Sequence, residues 1–135
     1  MKSFCIALLL LGSLYSNAAT VDTLAIPSAA MGKTYNAAIV LPDSYAKSKA
    51  NYPVLYLLHG AYGHFSDWLK STPDPMTVKN LADRHNIIIV MPEGENYSFY
   101  LDSPVNKGSR FETYITGEVI PKIDKTYRTV AAKRG

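Results

Sequence analysis

The spacing of apolar and polar positions changes several times along this chain, and each change marks an element. Val21 to Ile26 is a short β-prone run closed by Pro27. Thr34 to Leu41 puts Tyr35, Ala37, Ile39 and Leu41 on one face, which predicts a second strand stopped by Pro42. The polar stretch 43–51 reads as a loop or a short helix. Two later runs, 53–58 (Pro-Val-Leu-Tyr-Leu-Leu) and 87–91 (Ile-Ile-Ile-Val-Met), are apolar without alternation. That is the pattern of strands buried on both faces. Between them Thr77 to His85 predicts a helix with Val78, Leu81 and Ala82 on one side. A second helix is expected from Ser109, where Ser109 and Glu112 have the spacing of a capping box. Phe111, Ile115, Val119 and Ile123 then recur at helical spacing, with Tyr114 and Glu118 beside them. Pro121 should kink this helix near its C-terminal end, since it has no amide hydrogen and its ring crowds the preceding turn.

Strands separated by helices predict an α/β fold, with a mostly parallel sheet covered on both faces and the first two strands as an antiparallel edge. The helix ending near Arg128 must return the chain to a further strand, yet only the residues to Gly135 follow. The sheet is expected to be incomplete.

The N-terminus follows a different rule. Lys2 is a short positive region, and Phe4 to Leu14 is an almost unbroken apolar run. Ser16-Asn17-Ala18 then gives small residues at the positions a signal peptidase inspects. The run falls short of the about 20 residues that span a bilayer. The expectation is a signal peptide over 1–18, a single domain over 19–135, a secreted or periplasmic protein, and no membrane contact after cleavage. Cys5, the only cysteine of the 135 residues, lies in that leader. A mature chain without a thiol excludes a disulfide framework, a thiolate nucleophile and a cysteine-based metal site. Cleavage also removes Lys2, leaving 13 Lys and Arg against 11 Asp and Glu, scattered singly. No basic stripe is present to hold a phosphate backbone, so nucleic acid is not an expected partner.

The candidate chemistry begins where the run 53–58 ends, at His59-Gly60-Ala61-Tyr62-Gly63. Ligands of open α/β sheets bind outside the carboxyl ends of the strands. A glycine there lets the backbone turn sharply and leaves an amide hydrogen facing the crevice, which an oxyanion hole requires. His-Gly alone is equally a plain strand-ending turn with a structural histidine. Ser66 lies two positions from His64, a spacing that does not by itself make a nucleophile–base pair. Asp102 either lines a crevice or stabilises a loop. Trp68 and Tyr62 either contact an acyl or aryl group or cover the core. The three histidines, without His-Glu-x-x-His, give no metal site, and no cofactor is expected.

Further motifs follow in order: Ser66-Asp67-Trp68, then Met91-Pro92-Glu93-Gly94 with Ser98-Phe99-Tyr100 and Asp102-Ser103. Arg110-Phe111-Glu112-Thr113-Tyr114-Ile115 and Glu118-Val119-Ile120-Pro121 complete the set. Together they resemble the esterase D family of α/β-hydrolases, which includes S-formylglutathione hydrolase, feruloyl and acetyl-xylan esterases and mycolyltransferases. The resemblance runs from about Val21 to Gly135. It implies an α/β-hydrolase fold, with 87–91 inserted between 34–41 and 53–58, and 53–58 as an edge whose outer neighbour is absent. It also implies that Ala61 supplies one oxyanion-hole amide, with Gly60, Tyr62 and Trp68 as substrate-binding candidates. The nucleophilic serine of the family sits in a Gly-x-Ser-x-Gly elbow, and that pattern occurs nowhere in these 135 residues. The chain is therefore expected to be the N-terminal part of a serine carboxylesterase, with serine, acid and histidine beyond residue 135. Its substrate would be a small-molecule or carbohydrate-linked ester. The rival expectation is a catalytically inactive product or a non-enzymatic binding fragment.

The exported protein is expected to begin at or near Ala19. Mass spectrometry of the secreted chain checks this, and retention of Met1 or Lys2 would contradict it.

Overall fold

The structure, a computed structural model, describes residues 18–131. The expected leader up to Asn17, with Cys5, and the terminal residues 132–135 lie outside the described residues. Four strands form one sheet: β1 (Thr20–Ser28), β2 (Lys33–Leu41), β3 (Val54–Tyr56) and β4 (Ile88–Pro92), in the order β1-β2-β4-β3. β4 thus lies between β2 and β3, as the resemblance implied. β1 and β2 make an antiparallel hairpin from Thr20↔Leu41 to Ser28↔Lys33, so the first strand runs through Pro27 instead of stopping there. As an edge strand, β1 can carry a residue that has no hydrogen to donate. β2 also pairs antiparallel with β4, and only β3 and β4 are parallel. Among the described residues the sheet is therefore mixed, which corrects the expectation of a mostly parallel one.

The alternation along β2 and β4 sends side chains into two cores. Tyr35, Ala37, Ile39, Ile88 and Val90 pack against Phe111, Tyr114, Val119 and Ile123. Ala38, Val40, Ile89 and Met91 pack on the opposite face against Val78 and Ala82. The short helices α1 (Ser44–Lys47) and α2 (Asp67–Lys70) precede α3 (Thr77–His85). Leu81 was expected on the buried side of α3, but it is exposed. It lies almost a full turn from Val78 and on the flank away from Ala82, where no strand reaches. β4 is buried at every residue, as its composition predicted. β3 is not: Leu55 and Leu58 are exposed because nothing among the described residues covers that stretch of the edge. Its apolar run marks a face without a neighbour here, where two covered faces were expected.

The outer side of β3 is not wholly bare. Thr129 bridges Tyr52 in parallel, with the Tyr52 amide donating to the Arg128 carbonyl at 2.9 Å and the Val130 amide to the Tyr52 carbonyl at 2.9 Å. The first rung of a fifth strand is therefore present, where none was expected. Arg128 fixes this return by stacking 3.8 Å from the Tyr45 ring centre and donating to the Ser48 and Ala50 carbonyls.

The helical region after β4 begins at Phe111, one residue later than the capping box would have it. α4 (Phe111–Thr113) leads into π-helical turns (Tyr114–Val119) and then α5 (Ile120–Thr126). Ser109 and Arg110 are held extended instead: Asp102 bridges Arg110, and the Ser103 amide donates to the Ser109 carbonyl at 2.8 Å. The cap comes from Asp102, which accepts the Thr113 amide at 2.9 Å and the Thr113 hydroxyl at 2.5 Å. Those two bonds, with Arg110 beside them, hold the Asp102 carboxyl below its ordinary range. Of the two readings of Asp102, loop stabilisation is carried by these bonds, and the residue also borders hollows of about 350 and 260 Å³. The disturbance expected at Pro121 takes the form of wide turns just upstream, where the Ile120 amide reaches back five residues to the Ile115 carbonyl.

Two substitutions separate centre from edge. Ile89→Ala should cost about 2–5 kcal/mol of unfolding free energy, because the residue is fully buried. Leu55→Lys should leave stability nearly unchanged and reduce self-association of the chain, since a lysine blunts an unpaired edge. Denaturant melts and light scattering read the two effects.

Candidate active site

Because β3 and β4 are parallel, their carboxyl ends open on the same side of the sheet, and the two turns that leave them face each other. His59-Gly60-Ala61-Tyr62-Gly63 leaves β3, and Glu93-Gly94-Glu95 leaves β4. The first turn closes with the Gly63 amide donating to the Gly60 carbonyl at 3.1 Å. Gly63 is required there: a Cβ would stand 2.9 Å from Asp67 Oδ2 and 3.0 Å from His59 Nδ1. Tyr62 adopts a left-handed φ of 61°, and its amide donates to the Asn96 carbonyl at 3.2 Å.

His59 is buried between the two turns. Its Nδ1 lies 2.8 Å from the Gly60 carbonyl, and its Nε2 accepts the Gly94 amide at 2.9 Å. A carbonyl only accepts, so Nδ1 carries the proton and Nε2 offers its lone pair. A trans peptide directs its N–H opposite to its C=O. With the Gly60 carbonyl held toward the ring and toward the Gly63 amide, the Ala61 N–H is turned away from both. From His59 to Phe65, five amides have partners: those of His59, Tyr62, Gly63, His64 and Phe65. The amides of Gly60 and Ala61 donate to no group among the described residues.

Glu93 ties the two turns together. Its carboxylate accepts the amides of Glu95 at 2.9 Å, Gly94 at 3.1 Å and Phe65 at 3.3 Å. Nδ1 of the exposed His64 is 3.4 Å away, and Nε2 of His59 is 3.2 Å away. Burial pushes the Glu93 carboxyl up, but the three amides outweigh it and leave the group below its ordinary value. Tyr100 closes the back of the site. Its hydroxyl accepts the His59 amide at 3.1 Å and returns a bond to the His59 carbonyl at 3.3 Å. Burial, aided by the charge of Glu93, pushes the Tyr100 phenol up to about 12. Its ring leaves no room for a side chain at Gly94, where a Cβ would fall 2.4 Å from Cε1.

Two hollows flank Ala61. One of about 320 Å³ is bounded by Gly60, Ala61 and the 95–100 loop, including Tyr97 and Phe99. The other, of about 390 Å³, is bounded by Gly60, Ala61, Trp68 and Pro73. Tyr62 stands on the rim, exposed, with its ring 4.7 Å from that of Tyr97. Trp68 is half-exposed and anchored by its indole N–H on the Leu58 carbonyl at 3.0 Å. Of the four residues read from the sequence, Gly60 and Ala61 border both hollows and Trp68 borders the second, whereas Tyr62 borders neither and stands beside Tyr97. Ser66 does not approach His64 as a nucleophile would; the His64 amide is taken by Asp67 at 2.9 Å. A larger hollow of about 770 Å³, beyond the 93–98 loop, touches none of the four. No cluster of three or more His, Cys, Asp or Glu able to hold a metal occurs among the described residues.

Among the described residues five non-glycine positions have left-handed φ, and four of them (Tyr62, Glu95, Phe99, Tyr100) belong to the loops around Ala61. Such backbone is disfavoured and persists where surrounding contacts over-determine it, a situation common at functional sites. Sequence reading missed His59, Glu93 and Tyr100 as working parts. The available signal was a pair of strand-ending turns, His-Gly and Glu-Gly, each following a buried apolar run.

The model of the Esterase family matches residues 28–135. An esterase of Mycobacterium tuberculosis is 36% identical over 111 residues, covering 80% of this chain and 24% of that protein. An endo-1,4-beta-xylanase/feruloyl esterase of Xylanibacter ruminicola is 33% identical over 115 residues, 78% of this chain and 16% of that one. The solved structure of a ferulic acid esterase superposes with a TM-score of 0.71 at 28% identity, over 84% of this chain and 46% of the other. The chain spans about a quarter or less of the curated relatives' length and under half of the solved structure.

Glu93→Gln tests the carboxylate that joins the turns. A carboxyl held below its ordinary value stabilises the fold above the unfolded value, and the effect fades as the pH falls through the folded one. The variant should lose about 1–3 kcal/mol at neutral pH, the scale of bonds to a charged acceptor. The gap to the unsubstituted protein should close on acidification through and below the ordinary glutamate range, as read by melts across pH.

Proposed function

This chain belongs to the Esterase family, and from that premise we propose that it supplies the oxyanion-binding half of a serine carboxylic ester hydrolase. The observation that carries this reading is the Ala61 amide, free of any described partner while its peptide is held in place and facing hollows large enough for an acyl or alkoxy group. In the proposed reaction a serine hydroxyl, carried on sequence outside these 135 residues, attacks the ester carbonyl. The carbonyl oxygen gains negative charge as it becomes tetrahedral, and the Ala61 N–H donates to it. A donor fixed in advance of the charge loses no energy to reorganisation, and one such donor is worth roughly 10²–10³ in kcat. Collapse of the intermediate expels the alcohol, which takes up the proton the serine lost, and leaves an acyl-serine. Water attacks it through a second tetrahedral oxyanion, held by the same N–H, to give the acid and the free serine.

Gly60, Tyr62 and Trp68 would line the substrate. Aromatic faces at Tyr62 and Tyr97, together with the leader expected at 1–18, favour a carbohydrate-linked or short-chain ester outside the cell. The relatives named feruloyl and ferulic acid esterase support that substrate class. A second reading, a non-catalytic binding fragment, is favoured by one observation: no Gly-x-Ser-x-Gly elbow occurs in these 135 residues.

In a protein that extends through the nucleophile, Ala61→Pro should lower kcat by about 10²–10³, because proline deletes the amide hydrogen. Ala61→Gly, which keeps it, should stay within a few-fold. Steady-state hydrolysis of p-nitrophenyl acetate, with melts of both variants alongside, reads this. The 135-residue chain alone should give no turnover above a blank; turnover would show that a nucleophile lies within it.

A further inference from the structure

Nothing in the reaction requires a buried histidine beside the oxyanion amide, yet His59 is held there on both ring nitrogens. We propose that His59 is a positioning residue whose tautomer is set by the Gly94 amide, and that this tautomer holds the Gly60–Ala61 peptide with its N–H toward the substrate. The inference rests on the oxyanion reading of Ala61.

Three observations carry it. First, the Gly94 amide donates to Nε2 at 2.9 Å, which leaves the ring proton on Nδ1, the atom 2.8 Å from the Gly60 carbonyl. The tautomer of a histidine is set by the bond its other nitrogen makes, so the turn after β4 chooses which bond the turn after β3 receives. Second, neither end of this bridge can drift. Glu93 shares the Gly94 amide and also takes those of Phe65 and Glu95. Tyr100 holds the His59 backbone at both its amide and its carbonyl. Third, the ring cannot swing aside, because it is buried and sits edge-on to Tyr100 with centroids 5.7 Å apart. The bridge therefore spans 35 residues of sequence to fix one peptide plane.

Two substitutions separate the two nitrogens. The amide nitrogen of Asn reaches the place of Nδ1 and keeps the donor to Gly60. Gln reaches the place of Nε2 and keeps only the contact with Gly94. In a protein that extends through the nucleophile, His59→Gln should lower kcat about 100-fold, the scale of a misplaced catalytic group, with KM little changed. His59→Asn should stay within about tenfold of the unsubstituted enzyme. A ring that merely filled space, or that took part in proton transfer, would not rank the two this way. Equal kcat for the Asn and Gln variants would overturn the proposal. A measurement independent of how the variants fold is the two-bond ¹H–¹⁵N spectrum of histidine-labelled protein, with the His59 signals identified by their loss in the Asn variant. It should show a protonated Nδ1 and a bare Nε2. A proton on Nε2, whether alone or in an imidazolium paired with Glu93, would overturn the proposal without touching the Ala61 reading. That reading falls separately, if Ala61→Pro retains full kcat.

Discussion

The parallel pairing of Val54–Tyr56 with Ile88–Val90 is the constraint on which the site depends. An antiparallel pair would send the two following turns to opposite ends of the sheet. A parallel pair brings them to one end, and the connection that makes it possible carries α3 across one face. The anchor of this arrangement is β4, whose five residues are buried on both faces. Burial of each large aliphatic side chain there is worth roughly 1.5–3 kcal/mol. With so much apolar surface on one short strand, its register against β2 and β3 has little freedom: a slip of one residue would exchange the faces occupied by Ile88 and Val90 with those of Ile89 and Met91. The positions of Glu93 and Gly94 follow from that register, and so does their meeting with His59.

How much of this could be read from the residues follows from how local each cause is. The run 87–91 declared a buried strand because its whole environment is apolar. Thr77 to His85 formed the predicted helix because its pattern and its end coincide, with Asn86 adopting the left-handed C-cap. The order of the strands came from resemblance, since periodicity carries no information about neighbours. The failures share one origin. Pro53 to Leu58 has the composition of a covered strand, but exposure is decided by what lies beside it. Ser109 and Glu112 have the spacing of a cap, but Asp102, several residues upstream, wins the backbone of Ser109 and Arg110 for an extended bridge and caps the helix itself. In both cases a non-local partner overrode a correct local preference.

The same division applies to the cleft. Gly60 was legible because a glycine after an apolar strand is a local signal for a turn with an exposed amide, whereas Ala61 came from the resemblance. His59, Glu93 and Tyr100 were visible only as letters in motifs, since their partners lie 28 to 41 residues away. Their local sequence gives a further hint only in hindsight. Left-handed backbone at Glu95, Phe99 and Tyr100 is unfavourable for residues with side chains; Tyr100 is held by its bonds to His59, and Glu95 by Lys33 and Tyr35.

The oxyanion role proposed for Ala61 raises an electrostatic question about Glu93, because a fixed negative charge nearby would oppose the one that forms during ester cleavage. At 4 Å two unit charges interact by about 4 kcal/mol at an effective dielectric of 20, enough to cancel the gain from a single amide donor. The answer lies in where Glu93 spends its charge. It accepts three backbone amides, from Phe65, Gly94 and Glu95, so positive amide dipoles surround the carboxylate. Glu95, the other acid of this turn, is tied to Lys33 at 3.1 Å and to the Tyr35 hydroxyl at 2.7 Å. Both acids are thus compensated by groups of their own surroundings. The amides of Gly60 and Ala61, which have no partner among the described residues, are the donors that the proposed reaction would leave for an anion.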